Sequence, residues 1–167
     1  MGPADNRYVI RVLLVCMGNI CRSPIAHGVV RQRLHDSGIN DLVLLDSAGT
    51  HVYHAGSPPD DRAQAAASRR GIDITDLRAR SVETADFESF DLILAMDDEN
   101  IEALHAAAAE EHRGKIHLFM EYALGDAGRC VPDPYYGGPI GFERVLDMVE
   151  EAAEGLLTRL QAQLASR

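Results

Sequence analysis

Seven residues near the start of the chain, Val9 to Val15, read V-I-R-V-L-L-V. A run so rich in β-branched residues and leucine is the pattern of a strand buried on both faces, which is the situation of a parallel sheet covered by helices. The run stops at Cys16-Met17-Gly18-Asn19-Ile20-Cys21-Arg22-Ser23-Pro24, and from Ile25 the apolar spacing turns helical through Val29, Val30 and Leu34, with Gly38 closing the helix. Ser23 suits an N-cap and Pro24 a first helical residue. The unit is therefore strand, loop, helix, and whatever fold the rest adopts must accommodate it.

The remaining segments repeat the alternation. Leu42–Leu45 is a second short strand followed by Asp46-Ser47-Ala48-Gly49, and Thr50–Pro59 a loop. Asp60–Arg70 is a helix stopped by Gly71, Phe90–Met96 a third strand, Asp97–Ala109 a helix, and Lys115–Phe119 a fourth strand. Gly125–Gly141 is a Gly- and Pro-rich loop, and from Phe142 to Leu164 an apolar stripe marks a final helix. The expected fold is a three-layer α/β single domain with a four-stranded parallel sheet flanked by helices and the functional loop after the first strand. The domain spans residues 1–167, with 1–7 expected to be a flexible tail. Ligands of open α/β sheets sit at the carboxyl ends of the strands, where Cys16–Ser23, Ser47 and Asp97 all fall.

A loop from a strand end to a helix N-terminus can converge its N–H groups on a tetrahedral anion. Gly18 supplies backbone freedom and Asn19 tolerates the left-handed region. Arg22 presents a planar fork to phosphate oxygens. The same field favours thiolate over thiol at Cys16 and makes it a nucleophile. A solitary Cys-x5-Arg is weak evidence, since free cysteines are usually buried and inert; its place between strand and helix is what gives it force. A Walker-type site is disfavoured because no Gly-Lys-Ser/Thr ending follows. Near the other end, Asp133 stands between Pro132 and Pro134, followed by Tyr135-Tyr136. A stiff loop can hold a carboxyl over a site as general acid for a leaving oxygen, and the tyrosines can wall in a flat substrate. A plain turn is the competing reading of that segment alone.

The two motifs together, with Asp46-Ser47-Ala48-Gly49-Thr50 between them, resemble the low-molecular-weight protein tyrosine phosphatases from about Val9 to Leu164. The resemblance implies hydrolysis of phosphotyrosine through a cysteinyl-phosphate intermediate: Cys16 the nucleophile, Arg22 holding the phosphoryl oxygens, Asp133 the general acid and then base. It implies that Ser23 hydrogen-bonds the thiolate and that Asn19 and Ser47 stiffen a phosphate loop formed with Met17, Gly18, Ile20 and Cys21. It also implies that Tyr53 faces Tyr135 and Tyr136 across a cleft. Asp97 resembles a structural aspartate of the relatives. Cys21 resembles a second loop thiol that bonds Cys16 under oxidation, making the enzyme redox-sensitive. Two positions depart from the pattern. His27 stands where relatives commonly carry Glu, and Leu77 where many carry a His that supports the loop; loss of that hydrogen bond is expected to loosen the loop.

Composition closes off other classes. The net charge of −10, from 26 acids against 16 bases, disfavours nucleic acid and anionic membrane surfaces. No run reaches the roughly 18 apolar residues of a membrane span, and Met1–Arg7 lacks a secretory pattern, so a cytoplasmic location is expected. Three cysteines, Cys16, Cys21 and Cys130, make neither a disulfide framework nor a zinc set. His51 and His54 read as solvated loop residues rather than metal ligands, Asp97-Asp98-Glu99 as a helix N-terminus, and Glu150-Glu151 as a solvated helix face. No metal or cofactor is expected. The expected partner is a phosphotyrosine-containing protein, with weak self-association implied only by analogy. On the same scaffold, phosphoarginine phosphatases usually carry Thr in place of Ile20 and lack the Tyr pair, and arsenate reductases need further thiols beyond Cys130. A silent phosphate-binding module is the reading from another class.

Overall fold

The computed structural model describes residues 8–125 and 128–166, so the expected tail at 1–7 lies outside the described residues. Strand β1 (Ile10–Cys16) occupies the centre of a four-stranded parallel sheet with β2 (Val43–Gly49), β3 (Leu92–Ala95) and β4 (Ile116–Leu118), in the order β2-β1-β3-β4. Its side chains alternate between two cores, as a strand's period of two requires. Val12, Leu14 and Cys16 join the larger cluster with α1 (Arg22–Asp36), α2 (Asp61–Arg69) and α5 (Pro139–Ala165). Leu13 and Val15 join the smaller cluster with α3 (Thr84–Ser89) and α4 (Asp98–Ala107). Three layers and a parallel sheet agree with the sequence reading.

Helix ends follow local chemistry. Gly38 (φ 72°) and Gly71 (φ 75°) sit just past α1 and α2 in the left-handed region. In each case the next residue's N–H returns to a carbonyl in the last turn, Ile39 to Leu34 at 3.1 Å and Ile72 to Ala67 at 3.0 Å, which closes both helices. Pro139 opens α5 at its first position, three residues before the expected start at Phe142.

Other features also depart from the sequence reading. Strand β2 runs through Asp46-Ser47-Ala48 to Gly49 instead of ending at Leu45. Helix α3 was not expected; a reciprocal pair, Glu83 and Asp86, caps it, and the Lys115 ammonium closes its far end by donating to the Phe87 carbonyl at 2.7 Å. Glu150 is not simply a solvated face: it accepts from the Arg70 guanidinium at 3.1 Å, tying α5 to the end of α2.

Candidate active site

The chain leaves β1 at Cys16 and re-enters regular structure at Arg22, the first residue of α1. Between them the loop's carbonyls are taken from outside: Cys16 O by Thr50 N–H, Met17 O by His51 N–H and Ile20 O by Asp60 N–H, at 2.8–3.0 Å. A ring with its carbonyls engaged outward can turn its N–H groups on a bound oxyanion. Asn19 makes the turn, with φ 57°. Gly18 has no positive φ, and a methyl there would make only an ordinary 3.8 Å contact with Ile20. The expectation that Gly18 supplies the special backbone angle is corrected: Asn19 does. The glycine that the loop does require is Gly49, across the strand pair. A Cβ there would stand 2.6 Å from the Met17 carbonyl and 3.1 Å from the Asn19 nitrogen.

Cys16 is 2% exposed. Its sulfur accepts the Asn19 N–H at 3.2 Å and lies 3.0 Å from Ser23 Oγ. Asn19 Nδ2 donates to Ser23 Oγ at 2.7 Å and to Ser47 Oγ at 3.2 Å, while its Oδ1 accepts the Arg80 N–H at 3.0 Å. Ser23 is therefore not the helix cap. Cys21 holds the cap position with no side-chain bond.

The Leu77 side chain has no hydrogen-bonding group to offer the loop. Leu77 packs against the larger core cluster. Arg80 satisfies Asn19 Oδ1, and His27 Nδ1 lies 3.0 Å from Ser47 Oγ. Burial pushes the His27 pKa down to about 4, outweighing the neighbouring Asp46.

Arg22 is buried. Its Nη1 donates to Asp97 Oδ2 at 2.5 Å and to the Val131 carbonyl at 3.1 Å, and its Nη2 is 3.8 Å from Asp133 Oδ2. Burial opposes its charge, but Cys16, Asp97 and Asp133 outweigh burial and hold its pKa above the ordinary value. Asp97 also caps α4 by accepting the Asn100 N–H at 2.8 Å, as the sequence suggests. Asp133 Oδ1 accepts the Tyr135 N–H at 3.0 Å, a local turn that steadies the carboxyl.

Cys16, Arg22 and Asp133 line one cavity of about 390 Å³ together with Ile20, Tyr53, Tyr135 and Tyr136. Tyr53 and Tyr136 are 77% and 94% exposed, so they form a rim and not a core. Sequence reasoning missed Asp60 and Arg62. Asp60 lines the cavity, and its carboxylate chelates the Arg62 guanidinium through two bonds of 3.0 Å. Arg62 in turn lies 5.3 Å from the Tyr135 ring centroid, joining the wall beside the phosphate loop to the one that bears Asp133. Only the Asp-x-Arg spacing at a helix start could have hinted at it. Cys21, beside the nucleophile position, has its pKa pushed up to about 12 by burial, with Asp60, Cys16 and Asp133 adding to it. His51 and His54 are exposed, and the Cys130 thiol is directed at Asp98, 3.7 Å away.

A thiol in an N–H-lined loop, backed by a buried arginine and faced by a carboxyl, defines the class of enzymes that bind and transfer phosphoryl groups through cysteine. The family model for low molecular weight phosphotyrosine protein phosphatase matches residues 11–166, and the chain belongs to that family of hydrolases. It is 42% identical to a low molecular weight protein-tyrosine-phosphatase of Streptomyces coelicolor, over 94% of this chain and 97% of the relative. The crystal structure of a protein tyrosine phosphatase from Entamoeba histolytica superposes with a TM-score of 0.89 at 38% identity, covering 92% of this chain and 98% of that one. The YwlE arginine phosphatase shares the fold at a TM-score of 0.82 and 26% identity, over 91% and 96% of the two chains.

Proposed function

We propose that this chain hydrolyses phosphotyrosine in proteins by two successive phosphoryl transfers. In the first, Cys16 Sγ attacks phosphorus, the P–O bond to the phenol breaks, and the Asp133 carboxylic acid gives its proton to the leaving oxygen. In the second, Asp133 as carboxylate takes a proton from water. The water oxygen attacks phosphorus, the S–P bond breaks, and inorganic phosphate leaves as the thiolate returns to its Ser23 hydrogen bond. Arg22 and the loop amides of Met17 to Cys21 hold the phosphoryl oxygens throughout. No metal or cofactor enters this scheme.

The observation that carries the reading is the cavity in which Cys16 and Asp133 share walls with three tyrosines. Such a slot suits a long aryl phosphate, whose phosphorus can reach a cysteine that is 2% exposed, and it disfavours the shorter phosphoserine. Ile20 and the Tyr135–Tyr136 pair, stacked edge-to-face at 5.0 Å, weigh against the phosphoarginine reading. The engagement of Cys130 by Asp98 weighs against arsenate reduction. The proposal extends to a single domain acting in the cytoplasm without nucleic acid. Weak self-association and reversible Cys16–Cys21 oxidation belong to it by analogy with the family. Among the described residues, no helix is long and apolar enough to cross a membrane.

The test is phosphate release from phosphotyrosine, phosphoserine and phosphoarginine peptides, with reductant and without metal. Turnover of phosphotyrosine alone, abolished by Cys16→Ser, is expected. Turnover of phosphoarginine alone would overturn the substrate, and binding of phosphate without turnover would restore the silent module.

A further inference from the structure

His27 takes no part in the two steps above, yet it is buried four residues along α1 from Ser23, at 7% exposure, with its ring nitrogen on Ser47. Donors and acceptors can be followed along the row to which it belongs. The Arg80 N–H fixes Asn19 Oδ1 as the acceptor end of that amide, so both Nδ2 hydrogens are left to donate. They go to Ser23 Oγ and Ser47 Oγ, at 2.7 and 3.2 Å. Each serine oxygen thus accepts from Asn19 and has one hydrogen of its own to place. Ser23 places its hydrogen on the Cys16 sulfur, 3.0 Å away. Ser47 has His27 Nδ1 at the same distance of 3.0 Å.

That second bond requires a lone pair on Nδ1, hence a neutral ring with its proton on Nε2. The charged groups acting on His27 are Asp46, Arg31 and Asp76. Asp46 is engaged by Arg80 and Asp76 by Arg31, so neither carboxylate is left to hold an imidazolium. Burial then favours the neutral form. If Nδ1 carried a proton, Ser47 Oγ would receive two donors and its own hydrogen would lose its acceptor inside the protein, a costly arrangement.

We propose that His27 is a positioning residue for the reaction. By accepting the Ser47 hydroxyl hydrogen it keeps Ser47 as an acceptor for Asn19, and so holds the Asn19 amide and the Ser23 hydroxyl in the directions that serve the Cys16 sulfur. The imidazole acts through four hydrogen bonds and never touches substrate. For the kinetic part, the inference rests on the phosphatase reading of the site.

The experiment compares His27→Leu, which removes the acceptor, with His27→Asn, whose amide oxygen can occupy the Nδ1 position. Two quantities are read: the rate of Cys16 alkylation by iodoacetate at neutral pH, and kcat against KM on a phosphotyrosine peptide. The leucine variant is expected to lose about tenfold in alkylation rate and in kcat, the range of supporting hydrogen bonds around reactive groups. KM should stay within about twofold, because the loop amides and Arg22 are untouched. The asparagine variant is expected to recover both rates to within about threefold of the parent. Parent-like rates in the leucine variant, or an asparagine variant as slow as leucine, would overturn the proposal. If the leucine variant does not fold, Ser47→Ala cuts the same row from its other side. A slowed Ser47→Ala beside a parent-like asparagine variant supports the role, and equal slowing of both overturns it. Alkylation needs no turnover, so a failure of the phosphatase reading would leave this arm intact.

Discussion

Arg22 and Asp97, 75 residues apart in sequence, meet through a 2.5 Å hydrogen bond behind the site. The bond occupies Nη1, and Nη2 faces the side where Asp133 stands. Charge-assisted bonds to a buried guanidinium contribute about 1.5–3 kcal/mol and fix its plane. Asp97→Asn keeps an oxygen able to cap α4 but weakens the hold on Arg22. Its KM for a phosphotyrosine peptide is expected to rise about tenfold, with the melting temperature little changed. Tighter substrate binding in that variant would mean that removing a negative charge near the phosphate outweighs the loss of orientation.

Asp133→Ala should distinguish leaving groups. Aryl phosphates whose phenols are poor leaving groups need the donated proton and should slow by about 100-fold or more, within the range of general acid catalysis. Esters of strongly acidic phenols should slow far less. Equal slowing of both classes, measured as kcat/KM, would remove Asp133 from the acid role.

The two loop thiols should differ in reactivity. Burial and nearby acids hold Cys21 as a neutral thiol, its pKa pushed up to about 12, whereas the Cys16 sulfur receives an N–H and faces a hydroxyl. With limiting iodoacetamide near neutral pH, peptide mass spectrometry should find label on Cys16 well before Cys21. Matching rates at the two sites would contradict this picture. The same asymmetry predicts that any Cys16–Cys21 disulfide closes slowly, because Cys21 has little thiolate with which to attack.

Stability should depend on pH through His27. Its folded pKa, about 4, lies below the ordinary value of 6.5. Between those values the unfolded chain binds a proton that the folded chain refuses, so stability is full above about 6.5 and falls as the pH drops towards 4. The loss at this one site is about 3 kcal/mol. Denaturant unfolding at a series of pH values should show the slope in the parent and lose that part of it in His27→Asn. An unaltered slope would place the proton uptake elsewhere.

Legibility from sequence followed the range of the interactions concerned. Strand β1 could be read because its burial on both faces leaves a continuous apolar run, and the loop because a short segment carries Cys16, Arg22 and Ser23 together. Strand β2 was cut short because Asp46 and Ser47 break the apolar pattern. Their polar groups are satisfied by Arg80, Asn19 and His27, none of which is near them in sequence. Helix α3 escaped because Glu83 and Asp86 form a reciprocal cap without the usual serine or threonine. Ser23 reads as a cap in the sequence because capping and contact with the Cys16 sulfur ask for the same hydroxyl, and only the fold decides between them. The Arg62 contact with Tyr135 joins α2 to the Asp133 loop, and its one local trace is the Asp60-x-Arg62 spacing at the start of that helix.

Gly49 carries a last consequence. It pairs with Cys16 in the β1–β2 register, two residues beyond the Ser47 that pairs with Leu14. A slip of one residue would bring a side chain into a space that holds no methyl group and would turn Ser47 to the opposite face of the sheet. The loop geometry therefore depends on the correct strand alignment. Vanadate or phosphate should then behave as a folding clamp, adding about 2.7 kcal/mol at a concentration 100 times its dissociation constant.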